Sequence, residues 1–485
     1  MNILDFTDYR KTFPVPKSAN KAHSDEIKML KFIDNLLIKS GIEEDMVSRE
    51  LKDNGSIIPS LRKIQFYRQR IRINILMGLK GEAFRTFEMN SACHSLRLWF
   101  TFYPPEFQQV FPSKSTLQRI SSASSADTVK AFIQGISGLF LDDVFTAEYL
   151  GDDKRISFTS LYGDSTCVEA NIHYPVDWLL IRDAIRSIIS SILVIRQNYF
   201  THKMPLPQSV LSRIKSLCIE MSAAYNTEGA RKKRKKVLRK MFKLLSQVVG
   251  HGIRYGAILL SIGIKNDKKR QLIFNRLKSI LDQAPTVLRN CRRRMISEKT
   301  VANSDKILSL YDPNIHIVVR KKSGKRNEFG NGLFLCEQSQ GLILQWTFFK
   351  DHPPADSNLL AEALEEIRTK YRPIQSFGGD RGFDSKVSRD YLDDHSIVNA
   401  IARRSVPAFM EQLEDETFVK HQKRRAQTEG RISTVKHVFL KRVFRQKGFE
   451  NKERSVNWGI FAHNLTVLFR ISQEDKKETL RQIAL

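Results

Sequence analysis

The feature that most limits the fold of this 485-residue chain is a long helical block set inside a β-bearing pattern. From Asp177 to about Ser297, Gly and Pro are scarce outside Pro205-Leu206-Pro207 and the Gly250-to-Gly256 region, so helix follows helix with little interruption. On either side the periodicity changes. Residues 161–168 read as a short strand before the block. After it, residues 330–337 and 342–349 read as strands joined at Ser339-Gln340-Gly341, a hairpin signal. Helix 357–371, strand 374–377, helix 385–393, strand 397–402, helix 422–444 and an amphipathic helix 453–471 complete the series. Without residues 178–300, the order is strand, hairpin, helix, strand, helix, strand, helices. The expected architecture is therefore α/β: a mixed sheet with flanking helices, and a large helical insertion after its first strand.

The N-terminal part reads as all-helical. Residues 24–40 form an amphipathic helix with Ser24 as cap and Asp25 and Glu26 in its first turn. Asn54-Gly55 signals a turn. Residues 57–125 continue in helical periodicity, broken at Gly78, Gly81 and Pro104-Pro105. Leu79-Lys80-Gly81 suits either a helix-turn-helix corner or a plain helical hairpin. Pro112-Ser113-Lys114-Ser115 then opens a helix at Thr116 with a Ser cap.

Charge narrows the partners. The chain has 80 Lys and Arg against 52 Asp and Glu, a formal +28. Such an excess matches nucleic acid, and less often an anionic membrane surface. With 41% hydrophobic residues and 30 Phe, this is a globular chain and not a basic disordered tail. No apolar run approaches the roughly 20 residues that span a bilayer. The first residues lack the basic-then-apolar layout of a signal peptide. Five scattered cysteines with no Cys-x-x-Cys pair imply a reducing compartment and no zinc site.

Three carboxylates stand in marked settings. Glu429 is the only acid in residues 420–447, which hold ten Lys or Arg. Asp164 follows Tyr162-Gly163 on a strand, and Asp380 ends the run Gly378-Gly379 at a strand's C-terminal edge, where α/β sites gather. Carboxylates beside a polyanion suit divalent metal, because hard cations need oxygen ligands and phosphates need cations. Phosphodiester chemistry works well with two ions about 4 Å apart, flanked by two or three such groups. Plainer readings stand beside this one. Asp164 and Asp380 also suit turns. Glu429 also suits a solvated helix, paired with Arg425 four positions earlier for about 0.3–0.5 kcal/mol. That last reading leaves Gly430 unexplained, since glycine costs about 1 kcal/mol inside a helix. Arg425, Glu429 and Lys436 fall on nearly one helix face, where both cations can hold phosphates.

The segments G-D-S-T-C-V-E-A-N-I-H-Y-P-V-D (163–177), K-S-G-K-R-N-E-F-G-N (322–331), G-G-D-R-G-F (378–383), E-G-R-I-S-T-V-K (429–436) and W-G-I-F-A-H-N-L (458–465) resemble, in this order, those of bacterial insertion-sequence transposases of the DDE, RNase H-like type. F-P-S-K-S-T-L (111–117) resembles a segment preceding the catalytic domain in such proteins. The resemblance implies that Asp164, Asp380 and Glu429 are the catalytic, metal-holding triad. It also implies a signature Tyr-x2-Arg-x3-Glu-x6-Lys, matched by Arg425, Glu429 and Lys436, with Gln422 at the tyrosine position. His173, Tyr174 and Asp177 resemble the family's H-Y-P-T-D. Asp177 suits a helix cap after Pro175 better than a place in the site, and Glu169 is a weaker rival for the site. His463 and Asn464 are expected to pack and hydrogen-bond near the Glu429 helix, not to bind metal.

The expectation is an RNase H-like DDE transposase using two Mg²⁺ ions, with Mn²⁺ an alternative. It cleaves at element ends and joins the 3′-OH to target DNA. Residues 1–155 form a helical DNA-binding region, 156–177 and 305–472 the catalytic domain, 178–304 the insertion and 473–485 a polar tail. Expected DNA contacts are Arg425, Lys436, Arg431, Arg381, Lys232, Lys233, Arg234 and Lys235. The last four lie in residues 231–240, eight of which are basic, and which read equally as a solvated helix face. Expected partners are double-stranded DNA and at least a second copy of the chain, in the bacterial cytoplasm near the nucleoid, with no membrane. The alternatives are an RNase H-like nuclease without strand transfer and a catalytically dead DNA-binding scaffold.

Overall fold

A computed structural model describes residues 15–18, 20–53, 60–103, 110–224, 229–264, 267–319, 327–371, 373–440 and 446–473. The Asn54-Gly55 turn, the Pro104-Pro105 break, residues 322–326, the end of the expected helix 422–444 and the tail from 474 lie outside them. The chain is α/β, mostly helical, with a mixed six-stranded sheet. It forms two compact units, Met1–Ala170 with Asn331–Leu485, and Asn171–Gly330.

The first unit opens with helices α1 (Lys21–Lys39), α2 (Ile42–Asp53), α3 (Leu61–Lys80), α4 (Phe84–Ala92), α5 (Ser95–Thr101), α6 (Lys114–Ser121), α7 (Ala126–Leu139) and α8 (Asp143–Leu150). The cap of α1 is Asn20, whose side chain accepts from the N–H groups of Ala22 and His23. Ser24 therefore lies inside the first turn. Both residue types can cap, and Asn20 comes first with free N–H groups to receive. At the Leu79-Lys80-Gly81 corner, Gly81 ends α3 in the left-handed region at φ 54°.

These helices do not form a core of their own. Leu30, Ile71 and Phe132 belong to the same apolar cluster as Phe334, Trp346 and Phe377 of the sheet. Arg72 ties α1, α2 and α3 together: fully buried, it pairs with Asp34 at 2.6 Å and Glu43 at 2.7 Å. A boundary near 155 thus has no counterpart in the packing, because the helices bury their apolar faces against the sheet and its last helix.

The sheet of this unit runs β4 (Ile343–Phe348), β3 (Asn327–Gln338), β1 (Ser160–Glu169), β5 (Ser376–Gly379), β6 (Val398–Ile401). Strands β3 and β4 form the expected antiparallel hairpin. Its turn glycine, Gly341, sits at φ 103°, where a side chain would also strike Arg431. β1, β5 and β6 are parallel neighbours. Helices α13 (Asp356–Lys370), α14 (Lys386–Asp394), α15 (Val406–Gln412), α16 (Glu416–Thr434) and α17 (Phe449–Ile471) surround them. α17 is buried nearly all round. Asn457 on it accepts from Trp346 Nε1 of β4 at 2.7 Å and donates to Ala126 O of α7 at 2.8 Å. Asn464 exchanges hydrogen bonds with both backbone groups of Ile343.

The second unit is built on α9 (Asp177–Asn198), α10 (Pro207–Ala223), α11 (Ala230–Ser261) and α12 (Lys268–Cys291). Helix α9 packs against the other three, and Ile181, Ile185, Ile188 and Ile192 supply its fully buried stripe. Strand β2 (His316–Val319) pairs antiparallel with the first residues of β3, Asn327 to Gly330. Asp177 is not the cap of α9. Val176 holds that position, and Asp177 instead pairs with Arg294 at 2.9 Å. Burial makes the guanidinium the better partner for its carboxylate. His173 is likewise structural here, with Nε2 2.9 Å from Asp183.

Candidate active site

Strand register brings two of the three marked carboxylates together. On the parallel pair β1 and β5, Tyr162 stands opposite Gly378. Two residues further along each chain come Asp164, still within β1, and Asp380, just past the end of β5, close enough that the charge of one is felt by the other. Side chains alternate along a strand, so Asp164 shares the face of Tyr162. That face is covered by α16. Tyr162 Oη lies 2.9 Å from His421 Nδ1, and the Arg424 guanidinium sits 4.6 Å over the Tyr162 ring. Gly378 makes room for this ring: a Cβ there would come within 2.9 Å of Tyr162 Cδ1.

Asp164 is a strand residue and not a turn residue. It accepts the Ser165 N–H at 2.7 Å. Its carboxyl is pushed up to about 6, first by burial and then by the negative charge of Asp380. Glu429 adds to the rise, while Arg425 opposes it. Asp380 lies just past β5 and accepts the Gly382 N–H at 2.7 Å, which turns the chain sharply. Arg404 holds this loop by donating to the carbonyls of Arg381 and Gly382, each at 2.9 Å.

Glu429 is on α16, exposed, and its Oε1 is 3.3 Å from Arg425 Nη1. Among the described residues, no three His, Cys, Asp or Glu side chains are gathered as a set that could hold a metal ion. Glu429 influences Asp164 electrostatically but is turned to Arg425. A Cβ on Gly430 would meet open space, so no packing within the described chain calls for glycine there.

The donor chemistry fits a hard cation all the same. Asp164 and Asp380 are oxygen donors near enough for the charge of one to raise the pKa of the other, and that repulsion is what a cation between them relieves. An exposed Glu429 side chain is free of packing that would fix it.

Gln422, at the position where the resemblance expects tyrosine, is an anchor. Its Nε2 donates to Ala400 O at 2.7 Å and Gly379 O at 3.3 Å, at the ends of β6 and β5. Its Oε1 accepts from Arg425 Nε at 3.0 Å. Gln422 therefore connects the strand ends to the Arg425–Glu429 pair. Lys436, in a π-helical turn after α16, donates to Thr166 Oγ1 of β1 at 3.2 Å, two residues beyond Asp164.

The other expected contacts do not all face solvent. Arg431 turns inward: with Arg424, it grips Glu337, which is 2% exposed, at 3.0 and 2.9 Å. Thr428 completes that site at 2.7 Å. Arg431 is thus a fold residue, because a buried carboxylate demands paired cations. Arg381 is exposed and stacks 4.6 Å from the Phe409 ring. On α11, Lys232 and Lys233 are exposed, Arg234 is half-buried, and Lys235 pairs with Glu298 at 2.7 Å. His463 is fully buried, its Nε2 3.1 Å from Gly341 O, and burial lowers its pKa to about 4. It does not reach the carboxylates.

One neighbour escaped the sequence reading. Asp356, the first residue of α13, approaches the Asp380 loop: a Cβ on Gly382 would come within 2.6 Å of Asp356 Oδ2 and 2.8 Å of Asp380 Oδ1. Burial, then Asp380, raises its pKa. Its setting in H-P-P-A-D-S-N reads as an ordinary helix start, and only the tertiary contact marks it.

The five cysteines are free, and no described helix is long and apolar enough to cross a membrane. No protein-family model, curated protein or solved structure matches this chain.

Proposed function

We propose that this protein is a DDE transposase whose catalytic sheet is RNase H-like. The observation that carries the reading is the register of β1 and β5, which sets Asp164 beside Asp380 on the face covered by the Arg425–Glu429 helix. The strand order, with a hairpin on one side of β1 and two parallel strands on the other, supports the same reading.

Asp164 and Asp380 would hold Mg²⁺ or Mn²⁺, with Glu429 joining from α16. When bound, the metal supplies Lewis-acid activation of a water or 3′-hydroxyl and offsets charge on the leaving oxygen. The chain's own residues do the rest. Arg425, held by Gln422, and Lys436, held beside β1, present fixed positive charge to a phosphodiester. Double-stranded DNA is the substrate, as element ends and as target. Two ends must be handled together, so the working form contains at least two copies.

The test is cleavage and joining of end DNA on the same purified variants. Asp380→Asn preserves shape and removes the charge that holds metal. It should abolish nicking and joining while leaving DNA affinity near normal. Arg425→Ala and Lys436→Ala should weaken DNA positioning and leave metal binding intact. Wild-type joining by Asp380→Asn would sink the triad. Metal-dependent nicking without joining of a pre-cut end would identify a nuclease instead, and no nicking at all a dead scaffold.

A further inference from the structure

The net charge of the chain is not evenly shared. The second unit, residues 171–330, holds 33 Lys and Arg against 10 Asp and Glu, a net of 33 − 10 = +23. The first unit has the remaining 80 − 33 = 47 against 52 − 10 = 42, a net of +5. The unit with the carboxylate pair is nearly neutral. The helical unit, which has no part in that pair, has most of the excess.

Much of this excess forms a line. On α11, Lys232, Lys236, Arg239 and Lys243 are spaced four, three and four residues apart, and all are exposed. At about 100° per residue they fall within an arc of about 60°, along about 16 Å of helix. No carboxylate among the described residues forms an ion pair with any of the four, whereas Lys235 on the flank pairs with Glu298 and Lys240 with Glu220. The Glu298 contact also brings the second basic run alongside. Arg292 lies 5.8 Å from the ring of Phe242 on α11, and Arg292 and Arg293 are exposed.

We infer that this face of α11 is a duplex-DNA docking surface that grips the phosphate backbone without reading bases. The inference rests on the proposed function for its partner and adds where, and how, that partner is held. One observation chooses DNA over an anionic membrane, and a second chooses phosphates over bases. The apolar face of α11, with Leu238, Met241, Leu245 and Val248, is already buried in its unit's core, so nothing remains to insert among lipids. The exposed line is rich in flexible lysines, which act as point charges and lack the flat fork that reads base edges. Each phosphate it neutralises releases a counterion.

The experiment uses the full-length protein without divalent metal. Binding of two unrelated duplexes is titrated at several salt concentrations. The variant Lys232→Gln/Lys236→Gln/Arg239→Gln/Lys243→Gln should lower the slope of log K against log salt by roughly 3–4, equally for both duplexes. A control, Lys21→Gln/Lys31→Gln/Lys52→Gln/Lys386→Gln, removes four exposed lysines from the first unit and should lower it by less than about 1. Lys232→Arg/Lys236→Arg/Arg239→Lys/Lys243→Arg, which keeps the charge, should restore the slope. An unchanged slope in the glutamine variant, or equal losses in variant and control, would overturn the proposal. So would a variant that loses only its binding to phosphatidylserine vesicles. Because no metal is present, failure here leaves the triad standing, and failure of joining leaves this surface standing.

Discussion

The two units use charge in opposite ways. In the first, cations are drawn inside and matched. Arg72 meets Asp34 and Glu43, and Arg424 and Arg431 meet Glu337, all at low exposure. In the second, the line on α11 is outside and unmatched, and the apolar core beneath it carries the fold. The buried arginines of the first unit thus fix structure, and the α11 line of the second is available to a partner. A buried charge without its mate is costly, whereas a solvated one costs little. Counting Lys and Arg along a sequence cannot separate these uses.

The sharpest way to break this contrast is to unpair a buried site. Glu337→Gln leaves Arg424 and Arg431 without their anion and should destabilise the first unit by about 3–5 kcal/mol. A chemical-denaturant titration measures it. A loss as small as that of a surface variant would mean the site is wetter than its burial implies.

Next in size is a pH effect at the carboxylate pair. The Asp164 carboxyl is raised from 3.8 to about 6, so the folded chain keeps a proton that the unfolded chain releases as pH rises through that window. Stability should therefore fall as pH rises from about 4 to about 6 in metal-free buffer. Asp164→Asn should remove the fall and be more stable by up to about 2–3 kcal/mol above that window. Mn²⁺ should raise the Tm of the wild type, more so at higher pH where the carboxyl is ionised, and should not raise that of Asp164→Asn. A wild-type profile that is flat over this window would show that Asp164 is better solvated than its surroundings suggest.

A smaller effect tests the anchor. Gln422→Ala removes the bonds to Ala400 and Gly379, and should cost about 1–2 kcal/mol and slow cleavage by loosening Arg425. Cleavage at the wild-type rate would make Gln422 only a fold residue. Smallest of all, the glutamine variant of the α11 line should change stability by no more than about 0.5 kcal/mol, since its side chains touch water. A larger loss would mean that the line supports the fold after all.

Much of the fold was legible locally. The strand around Asp164, the hairpin at Gly341, the helix after Asp356 and the helical block beginning at Asp177 lie close to where periodicity and turn residues put them. These are short-range properties of backbone and side chain. The misses were questions of partner. Ser24 and Asp177 have the chemistry of caps, yet Asn20 and Val176 occupy those positions. Arg431 and Arg425 look alike on one basic helix, yet one grips Glu337 and the other faces Glu429.

The sequence by itself determined the element order, the large charge excess and the three carboxylates to watch. Tertiary structure alone decided that Asp164 and Asp380 come close at the end of the β1–β5 pair, that Asp356 stands near them, and that the N-terminal helices join the sheet's core. It also decided which arginines turn inward. The reason is range: helical and strand periodicity act over a few residues, but the worth of a charge depends on what lies within a few ångströms of it, and the chain brings those neighbours from far away.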